Sequence, residues 1–193
     1  MRPIKVRLNK LAVVDRQIDT AIWLWFNGGD IVSIVTLTGA ALGVLDGLFQ
    51  RHRKSRPIPF NDEMAELANI TPRKARNLVK LDETFAKHAR TDPEETREYT
   101  ERRASVYLFC AVAGYNEFAG THQERGLRSL FALRYAMFNE HLYNPPPSMH
   151  QTAEERLEVE RLKNLSTAQF FQELGGDFVG NPPRPDGALS RSE

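Results

Sequence analysis

Two apolar stretches separated only by Asn27-Gly28-Gly29-Asp30 restrict this chain more than any other feature of its sequence. Before that joint, Leu11, Val14, Ile18, Ala21, Ile22 and Trp25 recur at steps of three and four. This spacing lines side chains along one face of an α-helix. Arg16, Gln17 and Asp19 fall off the stripe. After the joint, residues 31–50 read as a second helix, apolar on most sides, in which Gly39, Ala40, Ala41 and Gly43 let a neighbouring backbone approach. Glycine accepts the left-handed backbone that closes a helix. An aspartate side chain at position 30 caps the helix that follows. A connection this short predicts an antiparallel helical hairpin.

Helical punctuation continues along the chain. Pro57 and Pro59 in "RPIPF" stop the second helix, because proline cannot continue one. Asn61 is expected to cap a short helix through Leu67, and Thr71-Pro72 to open a longer one with Ala75, Leu78, Val79, Leu81 or Asp82, Phe85 and Ala86 on its apolar face. "ERRASVYLFCAVAGYNEFAG" predicts a helix with Val106, Cys110, Ala113 and Glu117 along one line, ended by Gly120. In "QERGLRSLFALRYAMFNEHLY" the helical stripe is Leu127, Leu130, Phe131, Arg134, Phe138 and Leu142, and Pro145, Pro146 and Pro147 end it. Thr152 and Glu155 form a capping box, Ser166 caps "TAQFFQEL", and Gly175-Gly176 close it. Residues 177–193 have no periodicity and read as a disordered tail. With no alternating strand pattern and no long repeat, the expectation is one all-α domain over residues 1–176. It would be a bundle of roughly six to eight helices opening with the hairpin.

Charge and cysteine usage narrow the function classes. Lys plus Arg is 26 against 25 for Asp plus Glu, so the chain has no global field to draw in a polyanion. The basic run "RHRKSR" at 51–56 sits where the second helix ends, and cations are favourable there against the helix dipole. Arg73, Lys74, Arg76 and Lys80 add a second basic stretch. A single cysteine excludes an internal disulfide and fits a reducing cytosol; Cys110 lies in an apolar run and reads as a small core residue. His52, His88, His122, His141 and His150 are scattered, and there is no cysteine cluster and no glycine-rich phosphate loop, so neither a metal nor a cofactor is implied. The opening residues lack an apolar core of signal-peptide length. Residues 31–49 approach the length of a membrane span with a basic flank. Asp46, Ser33, Thr36, Thr38 and three glycines dilute that segment, and it reads as the central helix of a bundle.

Two stretches nominate themselves for chemistry. "FAKHARTDPEET" gathers Lys87, His88 and Asp92 as candidate binding residues. A joint between helices explains most of it: Lys87, His88 and Arg90 bring positive charge to a last turn, Asp92 caps, and Pro93 takes the first helical position. His88 is the member whose identity a joint leaves open. In "RYAMFNEH", Arg134 and His141 are separated by six residues. This is similar to the Arg-x4-6-His pattern of HEPN-domain ribonucleases, α-helical proteins that usually act as dimers. The resemblance implies Arg134 and His141 as a catalytic pair cutting RNA at a 2′-hydroxyl, one supplying a cation near the phosphate and the other a proton shuttle. Tyr135 stands where that family commonly has a polar residue. Arg134 also lies on the apolar stripe, where it could snorkel or pair with a buried acid.

A broader resemblance covers most of the first 145 residues. Arg16, Gln17, Asp19, Ala21, Ile22, Asp30, Val32, Ser33, Ile34, Thr36 and Leu37 resemble the opening of an uncharacterised family of small bacterial helical proteins. Phe85, Lys87, His88, Ala89, Asp92 and Pro93 resemble a second segment of that family, and "VYLFCAVAGYNEFAG" continues the likeness. Ile31 and Val35 replace a proline and a histidine of its pattern. The functional expectation is a non-enzymatic cytosolic binding or regulatory module that self-associates as a homodimer, because Trp23 and Phe26 widen the first helix's apolar surface beyond one face. The alternatives are an RNA-cleaving or RNA-binding HEPN relative and a protein anchored to a membrane through residues 31–49.

Overall fold

Asn9 and Asp30 open the first two helices, each by turning its side chain onto a free backbone N–H. The Asn9 carboxamide oxygen accepts from Ala12 N at 2.8 Å and starts α1 (Lys10–Phe26). Asp30 accepts from both the amide and the hydroxyl of Ser33, at 2.8 and 2.7 Å, at the start of α2 (Ile31–His52). These bonds, the hydroxyl's first, hold the Asp30 carboxyl below its ordinary value. Gly28 and Gly29 serve the joint for different reasons. Gly28 takes φ +64°, a left-handed conformation. At Gly29, a Cβ would lie 2.9 Å from the end of the Leu24 side chain and 3.0 Å from its carbonyl oxygen, so a larger residue would have to push Leu24 aside.

In the computed structural model, which describes residues 7–52, 94, 96–120, 126–139, 152–181 and 183, six α-helices carry the chain and no strand occurs among those residues. The expected helices after Asn61 and Thr71, the "RHRKSR" run beyond His52 and the chain beyond residue 183 lie outside the described residues. The hairpin is the centre of the fold. Val14, Ile18, Ala21, Ile22 and Phe26 of α1 meet Ile34, Val35, Ala41, Leu42, Leu45 and Phe49 of α2, all buried. Thr38, the buried polar residue of α2, gives its hydroxyl to Ile34 O at 2.6 Å and so enters the core satisfied. The α2 helix is long and apolar enough to cross a membrane, its most apolar 18-residue window having a mean hydropathy of 1.9. Its buried side packs on α1 and on α3.

The third helix, α3 (Glu101–Ala119), is capped by Thr100 and closed by Gly120 at φ +66°. It lies across the hairpin and buries Ala104, Tyr107, Leu108, Cys110, Ala111, Val112 and Gly114. The expected line through Val106, Cys110, Ala113 and Glu117 is not its core face: Glu117 is exposed, and Val106 and Ala113 are half-buried. Contact with α1, α2 and α4 (Leu127–Phe138) buries a wider arc, for which Ala104, Ala111 and Gly114 are small enough. In α4 the expected stripe is half right. Leu127, Phe131 and Arg134 are buried, but so are Arg128 and Tyr135, while Phe138 is 57% exposed. Both capping boxes form, at Thr152–Glu155 for α5 (Ala153–Asn164) and at Ser166–Gln169 for α6 (Thr167–Leu174). Most of α5 faces outward, and Arg161 joins Glu158 of α5 to Glu173 of α6 on its surface. Phe170 and Phe171 of α6 stack on Phe26, the latter with centroids 4.6 Å apart. A 3-10 turn follows at Gly176–Phe178, and Phe178 and Val179 pack against the core, beyond the boundary the sequence suggests at 176.

Candidate functional site

An open cleft of about 950 Å³ lies where five chain segments meet: the end of α1, the α1–α2 joint, the start of α3, the end of α4 and the start of α6. Trp25, Phe26, Tyr135 and Phe138 give it an aromatic lining, with Ile31, Ile34 and Val106 beside them. Glu101, Arg102, Ser105, Asn139, Ser166 and Thr167 supply its polar groups. The floor is preorganised by ring contacts. Trp25 meets Phe26 and Phe131 edge-on at 5.0 and 5.1 Å, and Tyr135 stacks on Phe109 at 4.6 Å. Burial pushes the Tyr135 phenol up to about 12, so it stays neutral. Two of the hydroxyls are already engaged: Ser105 donates to Arg102 O at 2.9 Å, and Ser166 accepts from Gln169 N as a cap. No histidine, cysteine or aspartate is among the described lining residues.

Of the residues the sequence nominates for chemistry, Lys87, His88, Asp92 and His141 lie outside the described residues. Arg134 is described and is 1% exposed. Its two terminal nitrogens donate to Leu162 O, at 2.8 Å, and to Leu165 O, at the end of α5. The guanidinium lies over the rings of Phe138 and Phe170, 4.2 and 4.8 Å from their centroids. Burial draws its pKa below the ordinary arginine value. Arg134 does not reach water as a snorkelling side chain would, and among the described residues it meets no buried acid and pairs instead with carbonyls.

A second polar cluster, which the sequence does not single out, joins α1, α3 and α4. Arg128 is 3% exposed and bonds Asp19 through Nε at 2.7 Å and the Asp15 carboxylate through Nη2 at 2.7 Å. The same Nη2 reaches Asp15 O at 2.9 Å, and the guanidinium sits 4.2 Å from the centre of the Tyr115 ring. Burial raises the Asp19 carboxyl, Arg128 pulls it back down, and Asp15 adds a smaller upward push. Burial and the neighbouring Asp15 raise the Tyr115 phenol. The signal available in sequence was the spacing of Asp15 and Asp19, one helical turn apart on α1. No group of three metal-binding side chains occurs among the described residues. A scan against protein-family models, a search of curated proteins and a search of solved structures each returned no match for this chain.

Proposed function

We propose that this chain is a non-enzymatic, cytosolic helical binding module, and that it takes its partner's apolar group in the cleft between α1, α3, α4 and α6. The observation that carries this is the cleft's make-up: an aromatic lining with polar groups at its edge, the arrangement by which proteins hold ligands and inserted side chains. Exposed apolar side chains support self-association as well. Leu133 and Phe138 of α4, Leu157 of α5 and Leu174 of α6 all stand out of the surface, with Leu157 72% exposed. The ribonuclease reading asks Arg134 to face a scissile phosphate. A guanidinium enclosed by two carbonyls and two rings is poorly disposed to do so.

Titrating the isotope-labelled chain with indole, a planar apolar probe, tests the cleft. The amide signals of Gly28, Gly29, Ser105 and Ala168 are expected to move together and saturate, and Ser105→Trp, which fills the space, to abolish the effect. Scattered or absent shifts would sink the reading. Sedimentation velocity at micromolar concentration tests self-association. A dimer that Phe138→Glu dissociates is expected, and a strict monomer would remove that part of the proposal.

A further inference from the structure

Arg134 carries a charge that is almost fully removed from water, and no carboxylate pairs with it among the described residues. A buried cation is costly unless the surroundings replace its hydration. Here the replacement has two parts. Leu162 O and Leu165 O stand at the C-terminal end of α5, where the helix dipole is negative. Phe138 and Phe170 present their ring faces to the guanidinium. The planar fork is what allows one side chain to reach two carbonyls while lying against two rings. An ammonium has no such plane.

Two of these four partners border the cleft or directly adjoin a residue that does. Phe138 is one of its walls, and Leu165 directly precedes Ser166, Thr167 and Ala168, which form another. We propose that Arg134 is a positioning residue for this cleft: a guanidinium pin that ties the end of α4 to the α5–α6 joint and so sets the separation of those two walls. The assignment rests on the binding role of the cleft, in which Arg134 itself does not touch the ligand. Two consequences follow from the packing. Phe170 and Phe171 still hold α6 to Phe26 when the pin is lost, so the end of α5 loosens first. Phe138, more than half exposed, then loses the surface on which it rests.

Amide hydrogen exchange on the full chain is the test, with Arg134→Met, which keeps length and apolar bulk, and Arg134→Lys, which keeps the charge without the fork. Both variants are expected to exchange about tenfold faster across residues 156–165 while the α1–α2 hairpin stays protected as in the parent. The indole affinity of both is expected to fall by about threefold or more, because the walls are no longer held. Parent-like protection of α5 in Arg134→Met would overturn the pin. So would an equal loss of protection in the hairpin, which would make Arg134 a general core residue. Full rescue by Arg134→Lys would overturn the role of the fork. Phe138→Ala, at an exposed position, provides a second route: it is expected to loosen the same segment to a smaller degree, and no change there would count against the stacked platform. The exchange results decide the pin even if the parent chain binds no indole, an outcome that would instead remove the cleft reading.

Discussion

Phe26→Ala is expected to lower the unfolding free energy by about 4 kcal/mol, within the range for losing a fully buried phenylalanine. Phe26 ends α1 and is completely buried, where it is stacked on Phe171 at 4.6 Å with 11° between the rings. Phe170 lies parallel at 6.3 Å and Trp25 meets it edge-on at 5.0 Å. The ring is therefore the surface on which α6 docks to the hairpin, as well as a core side chain. Trp25 is itself held edge-on by Phe131, which limits how far the site can close over the missing ring. Urea denaturation should show a lower midpoint with an unchanged slope. A deficit below about 1 kcal/mol would mean that the site collapses freely and that α6 is not keyed to this ring.

Arg128→Met is expected to cost about 2 kcal/mol at neutral pH, less than breaking a sealed ion pair because both carboxylates reach water. Asp15 and Asp19 have side chains 40% and 29% exposed, against 3% for Arg128. The loss should depend on pH in a definite direction. Burial raises the folded-state pKa of Asp19 above 3.8, so the folded chain holds this proton more tightly than the unfolded chain. Its contribution to stability is complete below 3.8 and declines as pH rises through the raised value. Arg128 works against that decline by favouring the carboxylate. Removing it lifts the Asp19 pKa further and lengthens the decline, so the deficit of Arg128→Met should be larger at pH 7 than below pH 3.8. Chemical denaturation at the two pH values checks this. An equal deficit at both would show that Arg128 acts through packing on Tyr115 and not through the carboxylates.

The hairpin could be read from sequence because its signals are local. The periodic stripe, the two glycines and the Asp30 cap each act within a few residues, and Val14, Ile18, Ala21 and Ile22 are buried as their spacing requires. The capping box of α5 and the Ser166 cap of α6 were readable for the same reason. Phe26 was less apparent: its place on the helix suggested a widened outer surface, whereas α6 arrives from far along the chain to cover it. The face of α3 was misplaced because a helix touched by several neighbours has no single stripe. The cleft draws on five separated segments, and Arg128 meets carboxylates 109 and 113 residues away along the chain. Such encounters depend on how helices cross, which one sequence does not specify at the level of single side chains.

Cys110 gives the chain a gauge of its own breathing. It is the sole cysteine, it is buried in α3 within the hydrophobic core, and burial pushes its thiol up to about 12. A thiol so placed is neither accessible nor ionised in the closed fold, and alkylation needs both. Reaction with a thiol reagent therefore counts openings of the core, with no label or engineered probe added. Compared across variants, that rate separates changes that release the whole core from those that free only an outer helix.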